Sequence, residues 1–392
     1  MNEVFKSKLT ESIAKLESWV ERHDFKAWEP FDGLSSPFRI FTFGNQFLDR
    51  ILMQSVRWCP FNIRPLLLMK PLPSTKGRGY MAGGYLTMYK TTGNEAYKKK
   101  AFEQLDWLDK HKSPKYQDHS WANHFAFASR GGRYEADESI IVWTALIGFV
   151  YLEAYDMFAE KKHLEIIKSI ERWILALPRE KTDSGTCISY FMPEQSCIHN
   201  SNMLGAAFLA HAAKFTMTKE SLPTARKAMV YSCSRILPDG SWWYADLPKH
   251  YWIDNFHTGY NLDSLKHYIE FSKDIEYEPL LKKGIGFLIK NFFENNGMPK
   301  YYNNNTYPVD SQCAAQAIET LANFADIDPE ALPMACKVAD WWIKNMQDKD
   351  GHFYFRLYKS GIKDKTPMLH WANATTYKGL TMLLMKAHKY KS

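Results

Sequence analysis

Two stretches rich in small and apolar residues decide the fold: SNMLGAAFLAHAA at 201–213 and SQCAAQAIETLANF at 311–324. They carry few charges, which predicts helices that are packed on several sides, where glycine and alanine allow close approach. Similar stretches recur along the chain. They define a set of inner helices, predicted at 78–91, 136–154, 201–216, 257–272, 312–325 and 373–389.

A second set of helices alternates with the first. These helices are amphipathic, with charged residues on one side, and are predicted to lie outside at 5–23, 95–111, 162–177, 220–236, 277–294 and 330–346. The helix pairs recur at roughly 55 to 65 residues, a spacing that is typical of helical repeats. Short polar turns lead from inner to outer helices and long loops lead back. This pattern predicts an all-α (α/α)6 barrel, a six-hairpin toroid with every long loop on one rim, closed by packing the first helix against the last.

Domain organisation follows from the same pattern. A length of 392 residues alone would favour two or three domains, but no linker rich in proline, glycine or serine divides the chain. We therefore expect one toroid domain over residues 1–392. Residues 24–77 form an insert with its own helix near 46–58. The helical repeat does not predict where this insert packs on the toroid.

Composition excludes several classes of function. The net charge is +7 and the lysines and arginines are scattered, so no basic stripe indicates nucleic-acid binding. The six cysteines form neither Cys-x-x-Cys pairs nor zinc spacings, which favours free thiols in a reducing compartment. The N-terminus has acidic residues and helical spacing, and no apolar run of roughly 18 residues was found. We expect a cytoplasmic protein that is not an integral membrane protein.

Aromatic residues make up 15% of the chain and recur in three long loops, PDGSWWYAD at 238–246, NNGMPKYYN at 295–303 and KDGHFYFRL at 349–357. In each loop a glycine able to adopt positive φ precedes alternating aromatic and polar residues, which predicts a tight turn into a short strand or hairpin. These hairpins either cap the ring or line a cleft. Aromatic rings stack on sugar faces, so a lined cleft would favour a carbohydrate ligand.

The densest polar cluster is Trp252-Ile253-Asp254-Asn255-Phe256-His257, at the start of an inner helix. Asp254 or Asn255 is equally suited to capping that helix, and His257 to a structural hydrogen bond. His199 and Asp310 occupy equivalent places in the neighbouring repeats. The predicted catalytic residues are therefore Asp254, His257, Asp310 and His199.

Two chemistries fit this cluster. Two carboxylates across a cleft can act as general acid and base on a glycosidic bond. Alternatively, elimination or C5 epimerisation of a uronic acid needs a group that neutralises the carboxylate and a base such as histidine or tyrosine. Asn255, His257, Tyr260 and Arg130 satisfy that second set of needs.

The ligand is predicted to be an oligosaccharide or polysaccharide, including an anionic one. Neither a cofactor nor a metal is predicted, because nucleotide-binding motifs and closely spaced histidine pairs are absent from the sequence. The predicted substrate-binding residues are Arg78, Trp121, His124, Arg130, Asn200, Trp242, Trp252, Asn255, Tyr260, Lys300, Tyr301, Tyr302, Gln312, Arg356, His370 and Trp371.

Five strings are HNSNMLGAA at 199–207, DGSW at 239–242, WIDNFHTG at 252–259, PKYY at 299–302 and HWAN at 370–373. Through them the chain resembles a bacterial and archaeal family found in gene clusters for exopolysaccharide and surface-glycan biosynthesis. The resemblance runs from about Trp28 to the end and departs from the expected Cys-Trp-Gly-type start at 120–125. It implies a toroid similar to those of unsaturated glucuronyl hydrolases, polysaccharide lyases and uronyl epimerases.

The leading hypothesis is therefore an enzyme acting on a cell-surface glycan, a glycosidase first and a lyase or C5-epimerase second. The rival hypothesis is a non-catalytic glycan-binding or scaffold protein of a polysaccharide biosynthesis complex, with the same aromatic rim and without an acid–base pair.

Overall fold

The structure, a computed structural model, describes residues 3–129, 132–192 and 197–389. Its α-helices, in chain order, are α1 (Glu3–Arg22), α2 (Gln46–Trp58), α3 (Thr75–Thr92), α4 (Glu95–Lys110), α5 (Ile141–Phe158), α6 (Lys161–Ala176), α7 (His199–Thr216), α8 (Ser221–Ser234), α9 (Asn255–Ser272), α10 (Glu278–Asn291), α11 (Ser311–Asn323), α12 (Ala331–Met346) and α13 (Thr375–Lys389).

Short strands lie in the loops between the helices and form antiparallel pairs. They are β1 (Lys26–Ala27), β2 (Leu72–Pro73), β3 (Phe127–Ser129), β4 (Gly132–Tyr134), β5 (Arg179–Lys181), β6 (Thr186–Ile188), β7 (Val309–Asp310), β8 (Arg356–Leu357) and β9 (Lys363–Asp364). β1 pairs with β2, β3 with β4 and β5 with β6, while β7, β8 and β9 form a three-stranded sheet in that order.

The inner helices α3, α5, α7, α9, α11 and α13 pack side by side in this order, and α13 packs on α3, so the ring closes. The other helices of the repeat lie outside this ring, and α1 packs against α12 and α13. The predicted (α/α)6 barrel is confirmed. Since every inner helix begins at the same rim, chain segments that are far apart in sequence converge there.

The start of α5 is the largest error in the predicted helix boundaries, because the sequence predicted a helix from residue 136. The preceding residues instead form the β3–β4 hairpin, and Asp137 adopts a left-handed φ of 63°. A helix cannot continue through that conformation, so α5 begins at Ile141.

Three glycines occupy the same place in successive repeats, as the loop pattern predicted. Gly240, Gly297 and Gly351 have φ of 94°, 88° and 113°. A Cβ on any of the three would lie 2.7 Å or less from a backbone carbonyl oxygen, on Lys283, Lys337 and Lys15 respectively. Each turn therefore rests directly on the next outer helix, which fixes the position of the aromatic residues that follow.

Residues 24–77 form one wall above the rim. The β1–β2 pair joins the two ends of this insert, and α2 packs on β3 and on a 3-10 turn at Asp32–Ser35. Leu34 and Met53 of the insert form a second apolar cluster with Phe127 and Trp143. The predicted helix near 46–58 coincides with α2.

One helix, α5, is long and apolar enough to cross a membrane when judged by length and composition alone. The sequence expectation that no such stretch exists is wrong by this measure. Within the structure, 61% of its 18-residue stretch is buried, and the helix packs between α3 and α7 in the inner ring.

Close packing of the ring is testable at Gly84 in α3. A Cβ there would lie 2.4 Å from the buried ring of Tyr377 on α13. Gly84→Ala should lower the free energy of unfolding by about 1–3 kcal/mol through overpacking. The matched control is Gly286→Ala in α10, where a Cβ would meet no atom within 4 Å. It should raise the free energy of unfolding by about 0.5–1 kcal/mol. Equal stabilisation in denaturant titrations of both variants would contradict the close packing.

Candidate functional site

A cavity of about 580 Å³ opens on the rim where the inner helices begin. The long loops and the insert enclose it. Lys76 of α3, Trp143 of α5, Asn200 of α7, His257 of α9 and His370 before α13 all line it. The predicted site residues that line this cavity are Asn200, Trp252, Asp254, His257, Tyr260, Tyr301, Tyr302, His370 and Trp371.

Asp254 both caps α9 and orients His257. Its Oδ1 accepts a hydrogen bond from the backbone N–H of His257 at 2.9 Å, and its Oδ2 lies 2.7 Å from His257 Nδ1. Trp252 Nε1 donates to the same Oδ2 at 3.1 Å. An ionised carboxylate can only accept, so Nδ1 of His257 carries the hydrogen and Nε2 is left for a ligand. The two alternative roles foreseen for Asp254, cap and functional residue, are thus combined in one side chain.

A second pair of the same kind comes from Glu29 and His370. Glu29 Oε2 is hydrogen-bonded to His370 Nδ1, and Oε1 accepts from the His370 backbone N–H at 3.3 Å. His370 is the second residue of a π-helical turn, Leu369–Ala374, that leads into α13. Its Nε2 is buried and has no hydrogen-bond partner in the described residues. Burial lowers the pKa of His370, with the charge and hydrogen bond of Glu29 opposing the shift, which favours the neutral imidazole.

Three cations also line the cavity, Arg50, Arg57 and Lys76. None of them forms a salt bridge with the described residues. Burial lowers the pKa of Lys76 to about 7, with Glu29 opposing the shift. Burial is also the main reason that the pKa of Arg57 is lowered, and the nearby charge of Arg356 adds to the effect. Cations at a cavity wall that form no salt bridge among the described residues favour an anionic ligand.

Sequence reasoning missed Glu29 and these cations because they belong to the insert or border it. Arg50, Gln54 and Arg57 are spaced at i, i+4 and i+7 on α2, the spacing of one helix face. That spacing was the available signal. The spacing alone could not assign these residues to the cavity, because the helical repeat does not predict which face of α2 points towards the rim.

Asp310 does not line the cavity, and its predicted catalytic role is not supported by its position. The carboxylate is fully buried and accepts hydrogen bonds from Arg356 Nε at 2.7 Å and from Trp371 Nε1 at 2.6 Å. Arg356 is also fully buried, so it is not a substrate-binding residue in this structure. The Asp310–Arg356 ion pair instead holds Trp371, which does line the cavity.

His199 is also directed away from the cavity. Its Nε2 lies 3.1 Å from Asp246 Oδ1 and its Nδ1 lies 3.2 Å from Ser232 Oγ, so both ring nitrogens have protein partners. The hydrogen bond with His199, followed by that with Tyr231, lowers the pKa of Asp246 to about 2. His199 is therefore placed as a structural histidine at the start of α7, while its neighbour Asn200 lines the cavity.

Three other predicted binding residues are buried in the walls between helices. Arg78 donates to Gln104 Oε1 at 2.6 Å and its guanidinium carbon lies 4.3 Å from the Trp107 ring centroid. Trp121 donates to the Leu108 carbonyl and Trp242 to the Ser232 carbonyl. These positions correct the prediction that Arg78, Trp121 and Trp242 contact a ligand in the cavity.

The remaining predicted residues lie beside the cavity rather than in its lining. Asn255 Nδ2 donates to the Lys300 carbonyl, and Gln312 Nε2 donates to the Tyr260 hydroxyl at 2.8 Å. Lys300 lies 3.9 Å from Glu294, and His124 lies 3.5 Å from Asp137. Arg130 lies outside the residues that the structure describes.

The floor of the cavity is closed by tyrosines. The Tyr260 and Tyr80 hydroxyls are 2.8 Å apart and join the inner helices α9 and α3. Burial raises the pKa of Tyr260, so its hydroxyl stays protonated at neutral pH. The walls carry further rings, including the stacked pair Tyr244 and Trp252, whose centroids are 4.7 Å apart.

No family model matches the chain, and no curated protein matches it in sequence. Solved structures do match in fold. A cellobiose 2-epimerase from Bacillus thermoamylovorans has a TM-score of 0.62 at 11% identity, over 80% of this chain and 88% of the epimerase. An α-1,6-mannanase from Salegentibacter sp. has a TM-score of 0.59 at 14% identity, over 81% of this chain and 89% of the mannanase.

An unsaturated glucuronyl hydrolase specific for heparin matches over 100% of this chain and 99% of its own, with a TM-score of 0.61 at 12% identity. At these identities the similarity establishes the (α/α)6 toroid fold. It leaves the reaction of this chain to be argued from its own residues.

The structural role of Asp310 can be tested by stability measurements. Asp310→Ala leaves the buried Arg356 charge unpaired and should cost about 3–5 kcal/mol of unfolding free energy. The double variant Asp310→Ala/Arg356→Met should recover part of this loss. The control is Asp340→Ala, which breaks an ion pair with Lys8 that is partly exposed to solvent, and it should cost less than about 1 kcal/mol. Unchanged stability of Asp310→Ala, combined with loss of glycan turnover, would instead favour the catalytic assignment.

Proposed function

We propose that the protein is a carbohydrate-active enzyme that transfers a proton at a sugar carbon, as an epimerase or a lyase does. The observation that carries this proposal is the pair of carboxylate-bound imidazoles, Asp254–His257 and Glu29–His370, at one cavity. Such pairing fixes the orientation of the ring and stabilises the imidazolium that forms when the base accepts a proton.

The same observation argues against the glycosidase hypothesis. Hydrolysis by two carboxyl groups needs both to face the glycosidic bond. The described residues that line the cavity include two carboxylates, Glu29 and Asp254, and each is hydrogen-bonded to an imidazole Nδ1 and to a backbone N–H. Histidines are therefore the better candidates for acid and base.

The chemistry can be written for a carbon next to a carbonyl or carboxylate group. Neutral His370 takes the proton from that carbon through Nε2, and the electron pair of the C–H bond moves to the adjacent carbonyl oxygen. In this step His257 reacts as an imidazolium, with hydrogen on both ring nitrogens, and its Nε2 returns a proton to the opposite face of the carbon to give the epimer. If the substituent on the next carbon leaves instead, its oxygen takes that proton, the electron pair forms the C=C bond, and the product is an unsaturated sugar. α11 lies between α9 and α13 in the ring, so the two imidazoles approach from different sides.

The walls fit a sugar ligand. Tyr244 and Trp252 present stacked rings beside His257, and Trp371 packs edge-on against Phe256 with centroids 5.6 Å apart. Aromatic faces and polar side chains together suit the apolar faces and hydroxyl groups of sugars. The fold neighbours that are named as a cellobiose epimerase, a mannanase and a glucuronyl hydrolase add support for carbohydrate chemistry.

The preferred substrate within this proposal is an acidic sugar. Arg57 and Lys76 can neutralise a carboxylate, which makes the proton on the neighbouring carbon easier to remove. The sequence resemblance supports a glycan made for the cell surface as the source of this sugar.

Proton transfer is tested by incubating the protein in D2O with a uronate-containing oligosaccharide. We expect loss of the hydrogen from one sugar carbon: an epimerase replaces it with one deuterium, detected by mass spectrometry and NMR, whereas a lyase leaves an unsaturated carbon without deuterium. His257→Gln and His370→Gln should each slow this exchange by at least about 100-fold, because each removes an acid–base group. The control His111→Gln changes an exposed histidine that stacks on Trp107, and it should exchange at the wild-type rate.

The product distinguishes the two reactions. Deuterium uptake without cleavage indicates an epimerase, and ultraviolet absorbance of an unsaturated uronate indicates a lyase. Cleavage by water without deuterium uptake would overturn the proposal in favour of hydrolysis. Binding without any reaction across uronate and neutral glycans would favour the non-catalytic alternative.

Preference for an acidic sugar is tested with Arg57→Gln. This variant should raise KM for a uronate-containing glycan by at least about tenfold, because a charge-assisted hydrogen bond is lost, and should leave KM for a neutral analogue nearly unchanged. Arg22→Gln, on the exposed end of α1, is the control. Affinity for the acidic glycan should also fall from about pH 6 to about pH 8, since Lys76 with a pKa of about 7 loses its proton. Equal changes in KM for both glycans would contradict the preference.

A further inference from the structure

The insert exposes several large apolar side chains on neighbouring segments. We call this surface the insert patch and define it by Ile40, Phe41, Phe43, Phe47, Leu66 and Leu68, each of which is at least 64% exposed. The segments that carry these residues are joined by a hydrogen bond from Ser36 Oγ to the Leu67 carbonyl and by packing of α2 on the 3-10 turn Pro37–Thr42. Contiguous apolar surface of this kind marks an interaction site.

The outward face of α2 is not used by the fold. Asp49, Met53 and Val56 are buried beneath the helix, while Arg50 and Arg57 line the cavity. The third face carries Phe47 and Ile51, which remain 67% and 47% exposed. A short helix with an exposed apolar face beside basic residues is the pattern of a helix that lies in a membrane interface.

Charge identifies the partner. Between residues 33 and 94 the chain contains one acidic residue, Asp49, which is fully buried and paired with Arg133. Arg39 and Lys70 lie within the segment that carries the patch, and Lys70 is exposed. Contact with a second copy through the same surface would bring these like charges together. An anionic lipid surface would complement them.

We propose that the insert patch docks the protein on an anionic membrane surface, as a peripheral contact. Phe43 and Phe47 insert among the lipid headgroups and acyl chains, while Arg39 and Lys70 contact the lipid phosphates. Since α2 also forms a wall of the cavity, docking holds the cavity beside the membrane. The inference does not depend on the reaction proposed for the cavity.

The test uses the full chain and extruded vesicles, either of phosphatidylcholine alone or with about one third phosphatidylglycerol, in a sedimentation assay. We expect binding to the anionic vesicles that weakens with added salt. The variant Phe43→Asn/Phe47→Gln should bind at least tenfold more weakly. Asparagine suits position 43 because its φ is 50°, in the left-handed region. The control Ile275→Gln removes an equally exposed apolar residue outside the insert, and it should bind like the wild type.

The electrostatic part is tested separately with Arg39→Gln/Lys70→Gln. This variant should lose affinity for anionic vesicles and should not change the weak binding to neutral ones. Equal binding by Phe43→Asn/Phe47→Gln and the wild type, or no vesicle binding by the wild type, would overturn the proposal. A concentration-dependent dimer that is seen by sedimentation velocity and abolished by Phe43→Asn/Phe47→Gln would also overturn the proposal. The patch would then be an interface between copies of the chain.

Discussion

Closure of the inner ring is the constraint on which the rest of the structure depends. Small residues such as Gly84 and Gly259 let neighbouring inner helices approach closely, and α13 packs on α3 to complete the circle. All inner helices then begin at one rim, so residues that are remote in sequence meet there. Glu29 and His370 are 341 positions apart, yet they form one hydrogen-bonded pair at the cavity.

The insert converts this rim into an enclosed site. Its first residues supply Glu29, and α2 supplies Arg50 and Arg57 to the cavity wall. Another part of the wall comes from the repeated loops, which supply Tyr244 and Tyr301. The insert thus adds cations and Glu29 to a rim that carries the Asp254–His257 pair beside the aromatic residues of the loops. The same helix α2 exposes an apolar face to solvent, which links the site to the surface proposed to contact lipid.

Most of the fold could be predicted because burial imposes a helical period on the apolar residues of each repeat. The cluster around Asp254 and His257 was also predictable, since capping places these residues at a helix start. Asp310 looks equivalent in sequence, and it also caps an inner helix, yet Arg356 from a later strand covers it. Glu29 could not be found, because its partner is set by tertiary contacts and not by any local pattern.

Asp254 and Glu29 hold two cavity-lining imidazoles through Nδ1, which leaves Nε2 of each ring for a ligand. The most direct measurement is long-range ¹H–¹⁵N NMR of the histidine rings, with His257→Gln and His370→Gln used to assign the signals. We expect hydrogen on Nδ1 of both rings and, at neutral pH, an unprotonated Nε2 in His370. A neutral His370 with its hydrogen on Nε2, or a His257 with a bare Nδ1, would contradict this arrangement.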